Sequence, residues 1–104
     1  MNPLKFVGSS RDDLAAFPTE AKRVAGYELW QVQLGLDSTD WKPLPSVGLG
    51  VHEIRVHRLG EWRVIYVAKF ADAIYALHAF QKKTQKTRKE DIELAKTRFK
   101  TIGG

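Results

Sequence analysis

The sequence contains no cysteine, which rules out a disulfide framework and every zinc site built on thiolates. Nowhere do about eighteen apolar residues run together, so a membrane-spanning helix is excluded. Met1-Asn2-Pro3-Leu4-Lys5 lacks the apolar run and small-residue cleavage site of a secretory leader, and a cytoplasmic protein without membrane partners is expected. No internal repeat, linker or low-complexity segment interrupts the chain. The glycine-rich phosphate loop with its lysine and the Gly-x-Ser-x-Gly nucleophile turn are both missing. The three histidines, His52, His57 and His78, form no i,i+4 helical pair, and parity puts His52 and His57 on opposite faces of one strand. Neither a metal nor a cofactor is expected.

What is there fits one small globular domain spanning residues 1–104, with 43% hydrophobic and 28% charged residues. The charge is unevenly placed. Residues 1–50 hold five Lys/Arg against six Asp/Glu, whereas residues 82–104 hold eight against three, equal to the whole formal net charge of +5. Such a local excess points to a polyanionic partner, although a solvated basic helix gives the same count.

Leu4–Val7 reads as a short strand ending at Gly8-Ser9. Ser10 then caps a helix with Asp12 and Asp13 in its first turn, and Pro18 ends it or begins another. From Thr19, apolar residues Ala21, Val24, Ala25, Leu29, Val32 and Leu36 mark one face of a second helix. Asp37–Gly50, with two prolines and two glycines, reads as a connecting loop from which Trp41 and Leu44 fold back onto the body. Three strands follow, Val51–His57, Glu61–Ala68 and Ala73–Phe80, with separations short enough for hairpins. Thr87-Arg88-Lys89-Glu90 has the form of a capping box, and Ile92, Ala95, Phe99 and Ile102 give the last helix its apolar face. The order β-α-α-β-β-β-α predicts an α+β domain, with a helical pair and a C-terminal helix packed on an antiparallel sheet.

The residues able to carry chemistry are cations on that sheet. Parity puts Glu53, Arg55 and His57 opposite Ile54 and Val56, so Arg55 points outward beside an acid and an imidazole. Arg63 lies among apolar neighbours, where a guanidinium is costly unless paired or facing a cleft. Phe80-Gln81-Lys82-Lys83 leaves the last strand, so a meander gathers Arg55, Arg63 and Lys82 on one concave surface. Such a set suits metal-free phosphodiester cleavage in RNA, in which the 2′-hydroxyl attacks phosphorus and guanidinium groups hold the growing charge. The base is open between Glu53, His57 and a lysine. In the plainer alternative, Arg55 pairs with Glu53 or Glu61, and Arg63 is structural.

Glu53-Ile54-Arg55, Gly60-Glu61-Trp62-Arg63-Val64-Ile65-Tyr66, Leu77-His78-Ala79-Phe80-Gln81-Lys82-Lys83-Thr84-Gln85-Lys86-Thr87 and Glu90, Ile92, Ala95 and Lys96 together resemble the phage-derived, HigB-like branch of the RelE/ParE toxin superfamily. The resemblance implies the RelE/ParE-like fold and the toxin half of a type II toxin–antitoxin pair. It implies a ribosome-dependent, metal-independent messenger-RNA endoribonuclease that inhibits translation. The implied partners are messenger RNA, the ribosome and a cognate helix-turn-helix antitoxin, with operator DNA bound only through the antitoxin complex. Carried over, the family's catalytic cations fall on Arg55, Arg63 and Lys82, the last as an acid. Glu53 stands where RelE itself has a lysine, and Arg88 stands at the place of its C-terminal tyrosine. Lys83, Lys86, Arg88 and Lys89 are expected to hold RNA phosphates. The rival functions are a ParE-like DNA gyrase inhibitor that acts by binding and a non-catalytic phage-derived adaptor for nucleic acid or protein.

Overall fold

The computed structural model describes residues 1–104. Its elements are β1 (Leu4–Phe6), α1 (Ser10–Ala15), α2 (Thr19–Gln33), β2 (Trp41–Pro43), β3 (Val51–His57), β4 (Glu61–Val67), β5 (Ile74–Gln81) and α3 (Lys89–Thr101). They form an α+β domain around one five-stranded sheet in the order β1-β5-β4-β3-β2. The sheet is mixed, which corrects the antiparallel expectation. The β2-β3-β4-β5 meander is antiparallel, but β1 lies parallel to β5, with Leu4 opposite Ile74. Local hairpin signals cannot reveal this pairing, because the two strands come from distant parts of the chain. No helix is long and apolar enough to cross a membrane.

Three further local expectations change. The loop expected over 37–50 contains β2, so the element order gains a strand. Ser10 does not cap α1. It is buried, and its hydroxyl donates to the Ala76 carbonyl on β5 at 3.0 Å, while Ser9 occupies the cap position. The capping box at Thr87 is not made either, because Arg88 precedes α3 and the Thr87 hydroxyl is used elsewhere. The second helix ends at Gln33, ahead of Gly35, whose φ of +85° is a conformation glycine adopts without strain.

Alternation along β4 separates two apolar cores. Val64 and Tyr66 pack with Ile54 and Val56 against Leu14, Phe17, Ala21, Ala25, Leu29 and Val32 of the α1–α2 region. Ile65 and Val67 face the other way and pack with Val51, Leu77 and Phe80 against Ala95 and Phe99 of α3. The sheet is therefore covered on both faces, by the helical pair on one and α3 on the other. Trp41 stacks on His52 at 4.2 Å and Leu44 is buried, so the 37–50 segment does fold back onto the body. Gly48 permits this closure: a Cβ there would collide with the Phe99 ring.

The α3 face changes character along its length. On β3 it runs Val51, Glu53, Arg55, His57, and on β4 it runs Val67, Ile65, Arg63, Glu61. One half is apolar and lies under α3. The other half is charged.

Candidate functional site

The β3–β4 register sets Arg55 directly opposite Arg63 and His57 opposite Glu61. Like charges at such positions repel across the strands. A carboxylate answers each guanidinium. Trp41 pairs with Ile54, so the residue before β2, Asp40, falls beside Arg55. The Asp40 carbonyl accepts from the Arg55 amide at 2.9 Å, and its Oδ1 accepts from Nε and Nη2, both at 2.9 Å. Arg63 is only 5% exposed. Its Nη2 donates to Glu61 Oε1 at 3.2 Å and its Nη1 to the Trp62 carbonyl at 3.0 Å.

Glu53 is fully buried, contrary to the outward acid expected beside Arg55. Such a carboxylate needs partners, and it has three. Lys42 Nζ and Arg63 Nε each stand 3.7 Å from its Oε1, and Thr87 Oγ1 donates to its Oε2 at 3.1 Å. Thr87 thereby ties the basic segment before α3 to the middle of the sheet. A second tie lies one turn further on, where buried His78 Nε2 meets buried Asp91 Oδ1 at 2.7 Å.

His57 stands between two acids. Its Nε2 is 2.6 Å from Asp40 Oδ2, and its Nδ1 is 2.8 and 2.9 Å from the two Glu61 oxygens. An ionised carboxylate can only accept, so both contacts are hydrogen bonds at once only when both ring nitrogens donate, that is, when the ring is protonated. Its pKa is accordingly raised, by the Glu61 hydrogen bond and then the Asp40 one, against the opposing effect of burial. The Glu61 carboxyl is held below its ordinary value, chiefly by the His57 hydrogen bond. For Asp40, burial works upward, but the hydrogen bonds from His57 and Arg55 outweigh it and lower the pKa.

Lys82 follows β5, and its amide donates to the Glu61 carbonyl at 2.7 Å, fixing it beside Arg63. Its pKa is lowered by burial and then by the Arg63 charge, with Glu53 opposing; Lys42 and Arg55 lower it further. A cleft of about 750 Å³ opens here, lined by Glu61, Arg63, Lys82, Lys83, Thr84 and Gln85. No hydrophobic side chain lines it. It is built for a charged or strongly polar ligand, and three of its six lining residues are cations.

Residues 12–100 match the family described as phage-derived protein Gp49-like (DUF891). The chain belongs to this Gp49-like family. No curated protein matches it. The match takes in every element from α2 to β5, most of α1 and α3, and every residue of the cleft.

Within this Gp49-like domain, Arg55, Arg63 and Lys82 lie at one end of the sheet; Arg63, Lys82 and Lys83 line the cleft, whereas Arg55, opposite Arg63 on β3, stands beside it and not in its lining. Lys86 and Lys89 are exposed and do not line it. Arg88 is turned to the acids of α3, its Nε 3.2 Å from Asp91 and 3.9 Å from Glu90. Sequence reasoning missed Asp40, Lys42 and Thr87. The signal for Asp40 lay in β2: had Trp41–Pro43 been read as a strand, pairing with β3 would have put Asp40 beside Arg55. Arg55 does not pair with Glu53 or Glu61.

Proposed function

We propose that this Gp49-like protein is the toxin of a type II toxin–antitoxin pair, a member of the HigB-like branch of the RelE/ParE superfamily with that superfamily's fold. It cleaves messenger RNA on the ribosome without a metal and so stops translation. The observation that carries this reading is the placement of Arg55 opposite Arg63, with Lys82 beside them, on the half of the sheet that α3 leaves uncovered. Two neighbouring guanidinium groups suit the nonbridging oxygens of a phosphodiester.

In the reaction, the 2′-oxygen forms a bond to phosphorus and the 5′-oxygen leaves. Arg55 and Arg63 stabilise the charge that builds between these events. Lys82, whose pKa lies below the ordinary lysine value, returns a proton to the 5′-oxygen. The proton of the 2′-hydroxyl passes to solvent water, because Glu53 is sealed among its partners and both nitrogens of His57 are engaged. Lys83, Lys86, Arg88 and Lys89 extend the positive surface toward ribosomal or messenger RNA. A small helix-turn-helix antitoxin silences the protein, and operator DNA is reached only through that complex.

Induction without antitoxin should halt growth and protein synthesis. Arg55→Ala should relieve toxicity while circular dichroism stays native, because losing one such contact costs on the order of 10²-fold in rate. The RNA fragments should end in 2′,3′-cyclic phosphate and 5′-hydroxyl. A folded Arg55→Ala protein of full toxicity, or fragments carrying 5′-phosphate, would overturn the reading.

A further inference from the structure

Five side chains form an alternating chain that reaches the cleft at its Glu61–Arg63 end: Arg55, Asp40, His57, Glu61 and Arg63. Each link is short, at 2.9, 2.6, 2.8 and 3.2 Å in that order. The consequence for an anionic ligand is direct. In the free protein, both guanidinium groups already hold carboxylates, so a phosphate that takes the Nε–Nη2 edge of Arg55 and the Nη2 of Arg63 displaces Asp40 and Glu61. A displaced carboxylate keeps a cationic partner only if another one is within reach. His57 is that partner for both, with one ring nitrogen aimed at each acid.

We infer that His57 is a positioning residue for the proposed phosphate site, the shared counter-ion that takes up Asp40 and Glu61 when Arg55 and Arg63 turn to RNA. This rests on the reading of the cleft given above. The middle of the chain is open enough for such an exchange, since the side chains of Asp40, His57 and Glu61 are 38%, 49% and 46% exposed. Other charged groups nearby do not substitute. Arg58, on the hairpin, directs its Nη1 to the His57 carbonyl, and Lys82 lies on the far side of Glu61.

Charge counting gives the readout. With His57 protonated, three cations face two carboxylates and the chain carries one net positive charge. Without that proton the cations and carboxylates balance. RNA affinity therefore falls as pH rises through the raised His57 titration. One unit charge about 6 Å from a phosphate, in water-like surroundings, corresponds to roughly a threefold change in affinity.

The test uses the full chain and a mixed-sequence RNA dodecamer carrying 2′-O-methyl groups throughout, which cannot be cut by 2′-hydroxyl attack. Binding is followed by fluorescence anisotropy at fixed low salt across the His57 titration. NMR follows the His57 ring and the Nε–H signals of Arg55 and Arg63 over the same range. We expect the affinity of the unaltered protein to fall with His57 deprotonation and the two arginine signals to shift with it. His57→Gln should bind weakly and without that pH dependence. Adding Asp40→Asn and Glu61→Gln to His57→Gln should restore affinity, because the two solvent-facing carboxylates then no longer compete with RNA for the arginines. Losing two carboxylates raises RNA affinity by charge alone, so Asp40→Asn with Glu61→Gln in the His57-bearing protein is the control. The gain should be clearly larger in the His57→Gln background; equal gains would indicate a purely structural His57.

Arginine signals indifferent to His57, or a pH profile shared by His57→Gln and the unaltered protein, would overturn the inference. If the chain titrates as described but the RNA binds equally at every pH, the inference fails while the cleft remains an RNA site. If no RNA binds at any pH, the proposed function fails and takes the inference with it.

Discussion

The two halves of the sheet face beneath α3 are built from the same three strands and solve opposite problems. Under α3, Val51, Ile65, Val67 and Leu77 close around Phe99 and keep water out. Beyond Glu53 the same strands present Arg55, His57, Glu61 and Arg63, and α3 has already turned away. The first half holds through apolar area, which is non-directional and tolerates adjustment. The second holds through matched charges, each of which needs its partner. Glu53 stands at the boundary. It is buried like the first half and charged like the second, and it takes cations from the open side and a hydroxyl from the segment leading into α3.

The largest effects test whether the halves depend on different forces. Phe99→Ala should cost about 3–5 kcal/mol, as expected for deleting a buried aromatic ring. Arg63→Ala should cost a similar 3–5 kcal/mol or so, because it leaves Glu53 buried with one cation fewer. Urea unfolding measures both. The difference is in the rescue: Glu53→Gln should recover much of the Arg63→Ala loss and none of the Phe99→Ala loss. An Arg63→Ala protein as stable as the original would show that the charged half does not depend on its pairing.

A smaller effect belongs to the hairpin at the rim of the open half. Leu59 has a φ of +55° and is 73% exposed, so it carries backbone strain with no burial in return. Leu59→Asn should raise stability by about 1 kcal/mol, because asparagine accepts this conformation more readily. A change of the same size in the destabilising direction would mean that Leu59 packs against something in solution.

The smallest effect is in pH. The raised His57 contributes stability that is complete below its ordinary pKa of 6.5 and is lost as pH rises through the raised value. The lowered Asp40 and Glu61 contribute stability that is complete above the ordinary Glu61 value of 4.5 and is lost as pH falls through their depressed values. The charged chain therefore adds most between pH 4.5 and 6.5. The difference in melting temperature between the original and His57→Gln should peak in that window. It should be modest, because these groups are partly solvated. The apolar half provides the control, since Phe99→Ala should shift melting by the same amount at every pH in the range.

Local pattern made much of this legible. Alternation and hairpin spacing gave β3, β4 and β5 to within a residue or so, and the spacing of Ala95 and Phe99 gave α3 its buried face. Parity put Arg55, His57 and Glu53 on one side. What parity lacks is depth. Glu53 is sealed because Lys42 and Thr87 arrive from distant segments, and nothing in the alternation of β3 reports that. A three-residue strand containing proline is too short for any periodic signal, so β2 was missed, and with it the place of Asp40. Ser10 reads as a cap from its neighbours alone, yet β5 makes it a buried donor.

The parallel seating of β1 on β5 bears on how the chain leaves the ribosome that makes it. Leu4, Lys5 and Phe6 have no strand to join until Ile74–Gln81 has been synthesised, and Ser10 waits equally long for the Ala76 carbonyl. Contacts so far apart in sequence form late, after the loop between them has been closed. The segment that completes the cleft, Lys82 to Gln85, follows immediately behind β5. A nascent chain interrupted just before β5 therefore has an unpaired first strand and the five linked charges without the Lys82–Gln85 wall of the cleft. Sheet closure and cleft assembly arrive together, near the end of synthesis.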